Sequence, residues 1–310
     1  MSSIPAKSDK PLVVWRFTDG KPGHESQSLG LVAAMSELRE VETHDLRVDS
    51  SSRVIVDWIF CSSKIAGSLP RPDFLLGAGH ATHWALLAAK RKFGGKTIVL
   101  MKPSLPLSWF DYCIVPKHDK PPVRPNITTA EGVLNPIRPA LNPSAREGLI
   151  LIGGESAHYV WDDARIESQL AVILESKREM NWTLTTSRRT PDSTVRMLRS
   201  KNGNGLTVVP HDQTAPGWVA EQLAICGEVW VTPDSMSMLY EAMSASSKVG
   251  LFRMEAKRSA SRVVRAVDRL LEDSRLSQVK GGRIERPQAE VEPLSEASRI
   301  AGIILEVSPK

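Results

Sequence analysis

Asp19-Gly20-Lys21-Pro22-Gly23-His24-Glu25 follows the apolar run Leu12-Val13-Val14-Trp15 and precedes an apolar-periodic stretch from Ser28 to Leu38. The pattern predicts a strand, a glycine-bearing loop and a helix over Gln27–Arg39, which is where an α/β sheet binds ligands. Two carboxylates, an ammonium and an imidazole fall within seven residues. Two glycines there let the backbone approach a ligand closely.

Outward from this stretch the alternation continues. Val41–Val48, Asp73–Gly79, Lys96–Met101 and Asp111–Val115 read as strands, with helices over Val54–Ala66 and Trp84–Lys92. Asn135–Glu147 carries three prolines and two asparagines, little apolar periodicity, and reads as a linker. The pattern then restarts. Gly148–Ile152, Trp182–Thr185, Leu206–Val209, Glu228–Val231 and Lys248–Phe252 are expected strands. Helices are expected over Ala164–Ser176, from Pro191 to about Ser200, from Ser235, and over Ala256–Glu272 and Leu294–Ile304. Such alternation predicts an α/β protein of two Rossmann-like, doubly wound domains facing across a cleft. Residues 1–140 form the expected acceptor domain and 141–290 the nucleotide-sugar domain, with a C-terminal helix in 291–310 packing back toward the first.

Bulk properties fit. At 310 residues the chain accommodates two cores, and 41% hydrophobic with 24% charged residues is ordinary for a globular protein. A net charge of +5 and a pI near 9.1 suit anionic ligands or an anionic membrane surface, without indicating nucleic acid. No apolar stretch approaches the roughly 20 residues of a spanning helix, and the first ten residues do not read as a secretory signal. Cys61, Cys113 and Cys226 lie far apart beside apolar residues, which predicts reduced thiols and a cytoplasmic setting.

The candidate chemistry collects at strand ends. In the second half, Gly153-Gly154-Glu155-Ser156 offers backbone N–H groups and a hydroxyl. Thr185-Thr186-Ser187-Arg188-Arg189-Thr190 places hydroxyls and two guanidiniums before a helix start, and Thr232-Pro233-Asp234-Ser235-Met236-Ser237 is another hydroxyl-rich helix start. Glu241 lies one to two turns into that last helix, where a carboxylate suits ribose hydroxyls. Together these describe a nucleotide pocket. Singly, Thr190 and Ser235 also read as helix caps, Arg188 and Arg189 as a solvated corner, and Glu241 as a surface residue.

In the first half, Gly77-Ala78-Gly79-His80-Ala81-Thr82-His83 joins a strand to a helix. His80 and His83 sit at i, i+3, but without a convincing third ligand they are read as polar contacts rather than metal ligands. Lys102-Pro103-Ser104 and Pro116-Lys117-His118-Asp119 end two further strands. Asp19 or Glu25 suits removal of a proton from an acceptor hydroxyl, with His24 as donor or alternative base. Otherwise Asp19 supports a turn and Glu25 caps the helix. Lys21, Gly23, Glu25, Gly79, His80, His83, Lys102 and His118 complete the expected acceptor side. No Gly-x-Ser-x-Gly elbow, Walker-type loop or Gly-x-Gly-x-x-Gly fingerprint occurs, which argues against hydrolase, phosphate-loop ATPase and dinucleotide-oxidoreductase readings.

These motifs, in this order across roughly residues 12–255, resemble the mitochondrial-fission Elm-type family, whose bacterial members carry the label nucleoside-diphosphate-sugar epimerase. The family looks like the two-domain GT-B glycosyltransferases, whose C-terminal domain binds the nucleotide-sugar donor. The resemblance implies Glu241 as the ribose-binding acid, with Gly153, Gly154, Ser187 and Arg188 along the phosphates. Glu155-Ser156 departs from the small pair expected there. The expected reaction is sugar transfer from a nucleotide-sugar substrate to a lipid-linked or glycan acceptor of the cell envelope, with no cofactor. Arg188, Thr186, Ser187 and helix N-termini would stabilise the leaving diphosphate, and the absence of an Asp-x-Asp pair fits metal independence. Epimerisation, or a non-enzymatic membrane-associated scaffold, are the alternatives. Lys257, Arg258, Arg262, Arg265 and Arg269 mark either peripheral contact with anionic lipid or the solvated face of a helix.

Overall fold

The computed structural model describes residues 10–48, 69–258, 261–288 and 291–307. The helix expected over Val54–Ala66, and Cys61 within it, lie outside the described residues. The chain forms two compact units, one built from the chain up to Pro136 together with the segment from Ser295 onward, the other from Ile137–Leu294.

The first unit is wound on a six-stranded parallel sheet of β1 (Leu12–Thr18), β2 (Val41–Arg47), β3 (Phe74–Ala78), β4 (Lys96–Leu100), β5 (Tyr112–Pro116) and β6 (Ile127–Ala130). The order is β2-β1-β3-β4-β5-β6. Leu-Val-Val-Trp, Phe-Leu-Leu and Tyr-Cys-Ile-Val are continuous apolar runs because their strands are buried on both faces. The edge strand β2 (Val-Glu-Thr-His-Asp-Leu-Arg) is largely exposed. Helices α1 (Pro22–Leu38) and α8 (Glu296–Val307) cover one face through Leu31, Met35, Ile300 and Ile304. On the other face α2 (His83–Phe93) packs Leu86 against Trp15 and Phe17. Glu296 accepts the Glu131 N–H at 2.8 Å while Arg299 donates to the Thr129 carbonyl at 2.6 Å, tying α8 to the edge at β6.

The second unit has a seven-stranded sheet in the order β13-β12-β11-β10-β7-β8-β9. Its elements in chain order are β7 (Ser144–Leu151), α3 (Asp163–Ser176), β8 (Asn181–Thr185), α4 (Asp192–Arg199), β9 (Leu206–Val209) and α5 (Trp218–Ile225). They continue with β10 (Cys226–Val231), α6 (Met236–Ser244), β11 (Lys248–Leu251), α7 (Arg262–Glu272), β12 (Ser277–Lys280) and β13 (Arg283–Glu285). Among the described strands of this sheet only the β12–β13 pair is antiparallel, turning at Gly281 (φ 56°) and Gly282 (φ 73°), the two positive φ values a two-residue hairpin of this hand requires.

The structure corrects several boundaries. Helix α1 begins at Pro22, five residues before the expected start, because proline is preorganised for a first helical turn. Gly23, His24 and Glu25 therefore ride on the helix, and only Asp19-Gly20-Lys21 is loop. The expected linker Asn135–Glu147 ends early, since β7 starts at Ser144. Helix α7 starts at Arg262 rather than Ala256, which bridges instead to Tyr159. Strand β6, helix α5 and the β12–β13 hairpin were not expected. Cys113 and Cys226 are buried thiols, and burial pushes their pKa up to about 11 and about 12.

Candidate functional site

Each sheet reverses its winding once, between β1 and β3 in the first unit and between β7 and β10 in the second. Ligands of doubly wound sheets sit outside the carboxyl ends of strands at such points. In the first unit Asp19 leaves β1 and Gly79 leaves β3 there. The Asp19 carboxylate is 4% exposed and lies 2.9 Å from Nδ1 of His24. It also accepts the Lys21 N–H at 3.2 Å and pairs with the Lys21 ammonium at 3.6 Å. Burial pushes the Asp19 carboxyl up, but the His24 and Lys21 hydrogen bonds and charges outweigh it and hold the pKa below the ordinary value. A carboxylate only accepts, so Nδ1 of His24 carries the shared proton and Nε2 is the basic nitrogen.

His24 is seated by a glycine. Gly79 has φ 80°, and a Cβ there would lie 2.3 Å from Cε1 of the imidazole. The two glycine motifs of the first unit are thus one interlocked feature. Thr82, fully buried, donates to the Gly79 carbonyl at 2.9 Å and lies where a Cβ on Gly77 would go. The start of α1 is held from below by Arg16, a charge inside an apolar strand that the sequence reading passed over. Its guanidinium pairs with Asp45 and donates to the Glu25 carbonyl and the Ser28 hydroxyl, both at 3.3 Å. Gln27 donates to the Gly23 carbonyl at 3.1 Å and approaches Sδ of Met101, whose φ of 69° bends the chain sharply after β4.

The two histidines after β3 separate. His80 is exposed on a short 3-10 turn, whereas His83 is 2% exposed, with Nδ1 at 3.2 Å from the Ser104 hydroxyl and its ring tilted on Phe110. Burial, with the charge of His80 second, lowers the His83 pKa to about 4. His83 is therefore a buried, neutral packing element whose polar contact is with Ser104. Lys102 is exposed at the end of β4, and His118 is half-buried on the turn after β5. Among the described residues no three His, Cys, Asp or Glu side chains converge as a metal site.

In the second unit the loops after β7, β8 and β10 knit together around Asp234, whose side chain is fully buried. Asp234 accepts the Gly154 N–H at 3.0 Å, the Thr232 hydroxyl at 2.6 Å and the Arg189 guanidinium at 2.7 Å, and Gly153 N–H donates to Thr232 Oγ1 at 2.8 Å. This corrects the expectation that Gly153 and Gly154 present open N–H groups to a phosphate. Their missing side chains serve close packing instead, since a Cβ would meet Asp234 at 2.3 Å and the Arg189 backbone at 2.1 Å. Arg189 also donates to the Glu155 carbonyl at 2.8 Å, so it fastens the loops while its side chain stays 45% exposed. Thr190 donates to the Gly153 carbonyl and accepts the Ser187 N–H at 2.8 Å. Thr186 is buried and its hydroxyl oxygen accepts the His211 N–H at 3.1 Å. Ser156 accepts the N–H groups of His158 and Tyr159 in a turn. Of the expected positions Arg188 and Arg189 are exposed, and Ser156, Ser187, Ser235, Ser237 and Glu241 are partly exposed. Ser235 caps α6 by accepting the Met238 N–H at 3.5 Å.

A structure from Listeria monocytogenes, provisionally described as a UDP-N-acetylglucosamine 2-epimerase, is similar over 96% of this chain and 95% of that one (TM-score 0.58, 11% identity). Staphylococcus aureus MnaA, in a co-structure with UDP, is similar over 95% of both chains (TM-score 0.51, 11% identity). The Escherichia coli ADP-heptose lipopolysaccharide heptosyltransferase II covers 84% of this chain and 99% of its own (TM-score 0.48, 10% identity). At these identities the first two likenesses establish the fold, two Rossmann-like domains of the GT-B-like class. No curated protein sequence matches. The model of the family described as mitochondrial fission ELM1 matches residues 22–307, nearly all of the described chain, and the protein belongs to that family.

Proposed function

We propose that the protein is a glycosyltransferase-like enzyme that moves a sugar from a nucleotide-sugar donor to a cell-envelope acceptor, without a metal. The carrying observation is the Asp19–His24 pair at 2.9 Å, set at the switch point of the first sheet. A buried carboxylate that fixes one imidazole nitrogen leaves the other as a general base of defined tautomer. In this reading Nε2 of His24 takes the proton of the acceptor hydroxyl, and Asp19 stabilises the imidazolium that forms. The second unit holds the donor. Glu241 accepts from the ribose hydroxyls, and Arg188, Ser187 and the N-terminus of α6 meet the diphosphate as its charge grows.

A second reading is epimerisation of a nucleoside-diphosphate sugar, supported by the UDP-N-acetylglucosamine 2-epimerase described in the similar Listeria structure. The same base at His24 serves either reaction. Incubation with a panel of nucleoside-diphosphate sugars and a membrane lipid extract, with products resolved by mass spectrometry and chromatography, separates them. Transfer gives free nucleoside diphosphate and a glycosylated acceptor, and epimerisation gives an isomeric donor of unchanged mass. Donor binding with neither product would instead support a scaffold that retains the fold.

Among the described residues no helix is long and apolar enough to cross a membrane. Helix α7 buries Val264, Val267 and Leu270 within its own unit and turns Arg262, Arg265 and Arg269 outward. Contact of that basic face with anionic lipid is the peripheral association we propose for reaching a lipid-linked acceptor in the cytoplasm.

A further inference from the structure

The second unit contains a cavity of about 520 Å³ at the amino ends of β7, β10, β11 and β12, the end of the sheet opposite the loops described above. One wall is the irregular junction of β7 and β10. Cys226 pairs with Ser144 and Glu228 with Gly148, so Ala145, Arg146 and Glu147 oppose Gly227 alone. Such a bulge disrupts the ladder locally and re-aims side chains. The end of α6 and the segment running out of β13 close the remaining walls.

The lining is divided. Met180, Met243, Ala245, Val249 and Val291 supply an apolar wall. Lys177, Lys248, Arg275 and Arg286 supply cations, against Glu228 and Glu292. Glu228 is 4% exposed and already engaged, accepting Nε1–H of Trp230 at 2.9 Å and the Arg286 guanidinium at 3.2 and 3.3 Å. With that pair matched, Lys177, Lys248 and Arg275 outnumber the exposed Glu292. The Nε–H of Arg275 is buried with no acceptor among the described residues. A buried donor of a charged group is costly to leave unpaired, so an acceptor placed there would be strongly favoured.

We infer that this cavity binds a small amphipathic anion, its carboxylate or phosphate on Arg275, Lys177 and Lys248 and its apolar body on Met180, Met243 and Val249. The volume suits a small molecule, since such sites commonly run to about 300–1,000 Å³. The location separates it from donor binding, which belongs to the carboxyl ends of the strands. The inference is independent of the proposed reaction.

The test is calorimetric titration of the full-length protein with octyl phosphate and with octanoate, both below their micellar concentrations. Octyl glucoside and inorganic phosphate serve as controls. Saturable one-to-one binding of either amphiphile, at least about tenfold tighter than both controls, is expected. If octyl phosphate alone binds, the head group is a phosphate; if octanoate binds comparably, a carboxylate suffices. Arg275→Gln and Lys248→Gln should each weaken that binding about fivefold or more, with unchanged circular dichroism. Lys248 is exposed, so its variant tests the site without threatening the fold. Saturating UDP should leave the isotherm unaltered. Absence of saturable binding, equal binding of octyl glucoside, displacement by UDP, or full affinity in both variants would overturn the assignment.

Discussion

The imidazole of His24 fills the space that a side chain on Gly79 would need, with Cε1 2.3 Å from the position of that missing Cβ. Two motifs 55 residues apart in sequence are therefore a single device, the second glycine-rich turn being the seat of the first motif's imidazole.

Gly79→Ala should be damaging twice over, through its φ of 80° and through the collision with His24. A loss of about 2–4 kcal/mol in unfolding free energy is expected, combining backbone strain and overpacking. In the background of His24→Ala the same substitution should cost less, leaving mainly the strain. Urea unfolding of the two single variants and the double variant measures this coupling, and simple additivity would show that the ring does not sit on Gly79.

The two arginines of the Ser187-Arg188-Arg189 loop should behave oppositely. Arg189 clamps buried Asp234 at 2.7 Å and the Glu155 carbonyl, and Arg188 is exposed. Arg189→Ala is expected to cost about 1–3 kcal/mol of stability, a value held down by the 45% exposure of its side chain. Arg188→Ala should leave the melting temperature within a degree or two yet weaken nucleoside diphosphate binding about tenfold, read by calorimetry.

His83 predicts a particular pH dependence. Its pKa falls from the ordinary 6.5 to about 4 in the folded protein, so below pH 6.5 the unfolded chain takes up a proton that the native state refuses. Stability should therefore decline as pH drops from about 6.5 to 4, and His83→Gln should flatten that slope. Asp19, Asp111 and Glu296 act in the same direction in a lower window: the pKa of each is depressed, so the stability it contributes is present at neutral pH and is lost as pH falls through and below the ordinary carboxylate range. Melting temperatures recorded across this range resolve the two windows. An unchanged slope in His83→Gln would place the titrating group elsewhere.

The doubly wound fold was legible because its strands are short apolar runs buried on both faces, and parallel pairing of such runs needs crossover connections, usually helices, between them. Gly281-Gly282 is a hairpin signal, whereas β6 was hidden because Ile127-Thr128-Thr129-Ala130 has no apolar run. The site was legible as a set of loops but not as a set of roles. Nothing local distinguishes Arg188 from Arg189, and the difference arises from Asp234, 45 residues downstream. Likewise the burial of His83 and exposure of His80 depend on Ser104 and Phe110, which arrive from the next strand connection.

The most direct test of the account sets binding against chemistry in three proteins: wild type, Glu241→Ala and His24→Ala. UDP and other nucleoside diphosphates are titrated into each by calorimetry, and single-turnover release of nucleoside diphosphate from the best donor is measured alongside. Glu241→Ala should lose about 1.5–3 kcal/mol of nucleotide affinity, as for a charge-assisted hydrogen bond. His24→Ala should bind nucleotide as the wild type does while its turnover falls about 10²–10⁴-fold, the usual contribution of a general base. Wild-type turnover in His24→Ala, or unaltered affinity for every nucleotide in Glu241→Ala, would contradict a division of labour in which the second unit holds the donor and the first supplies the base.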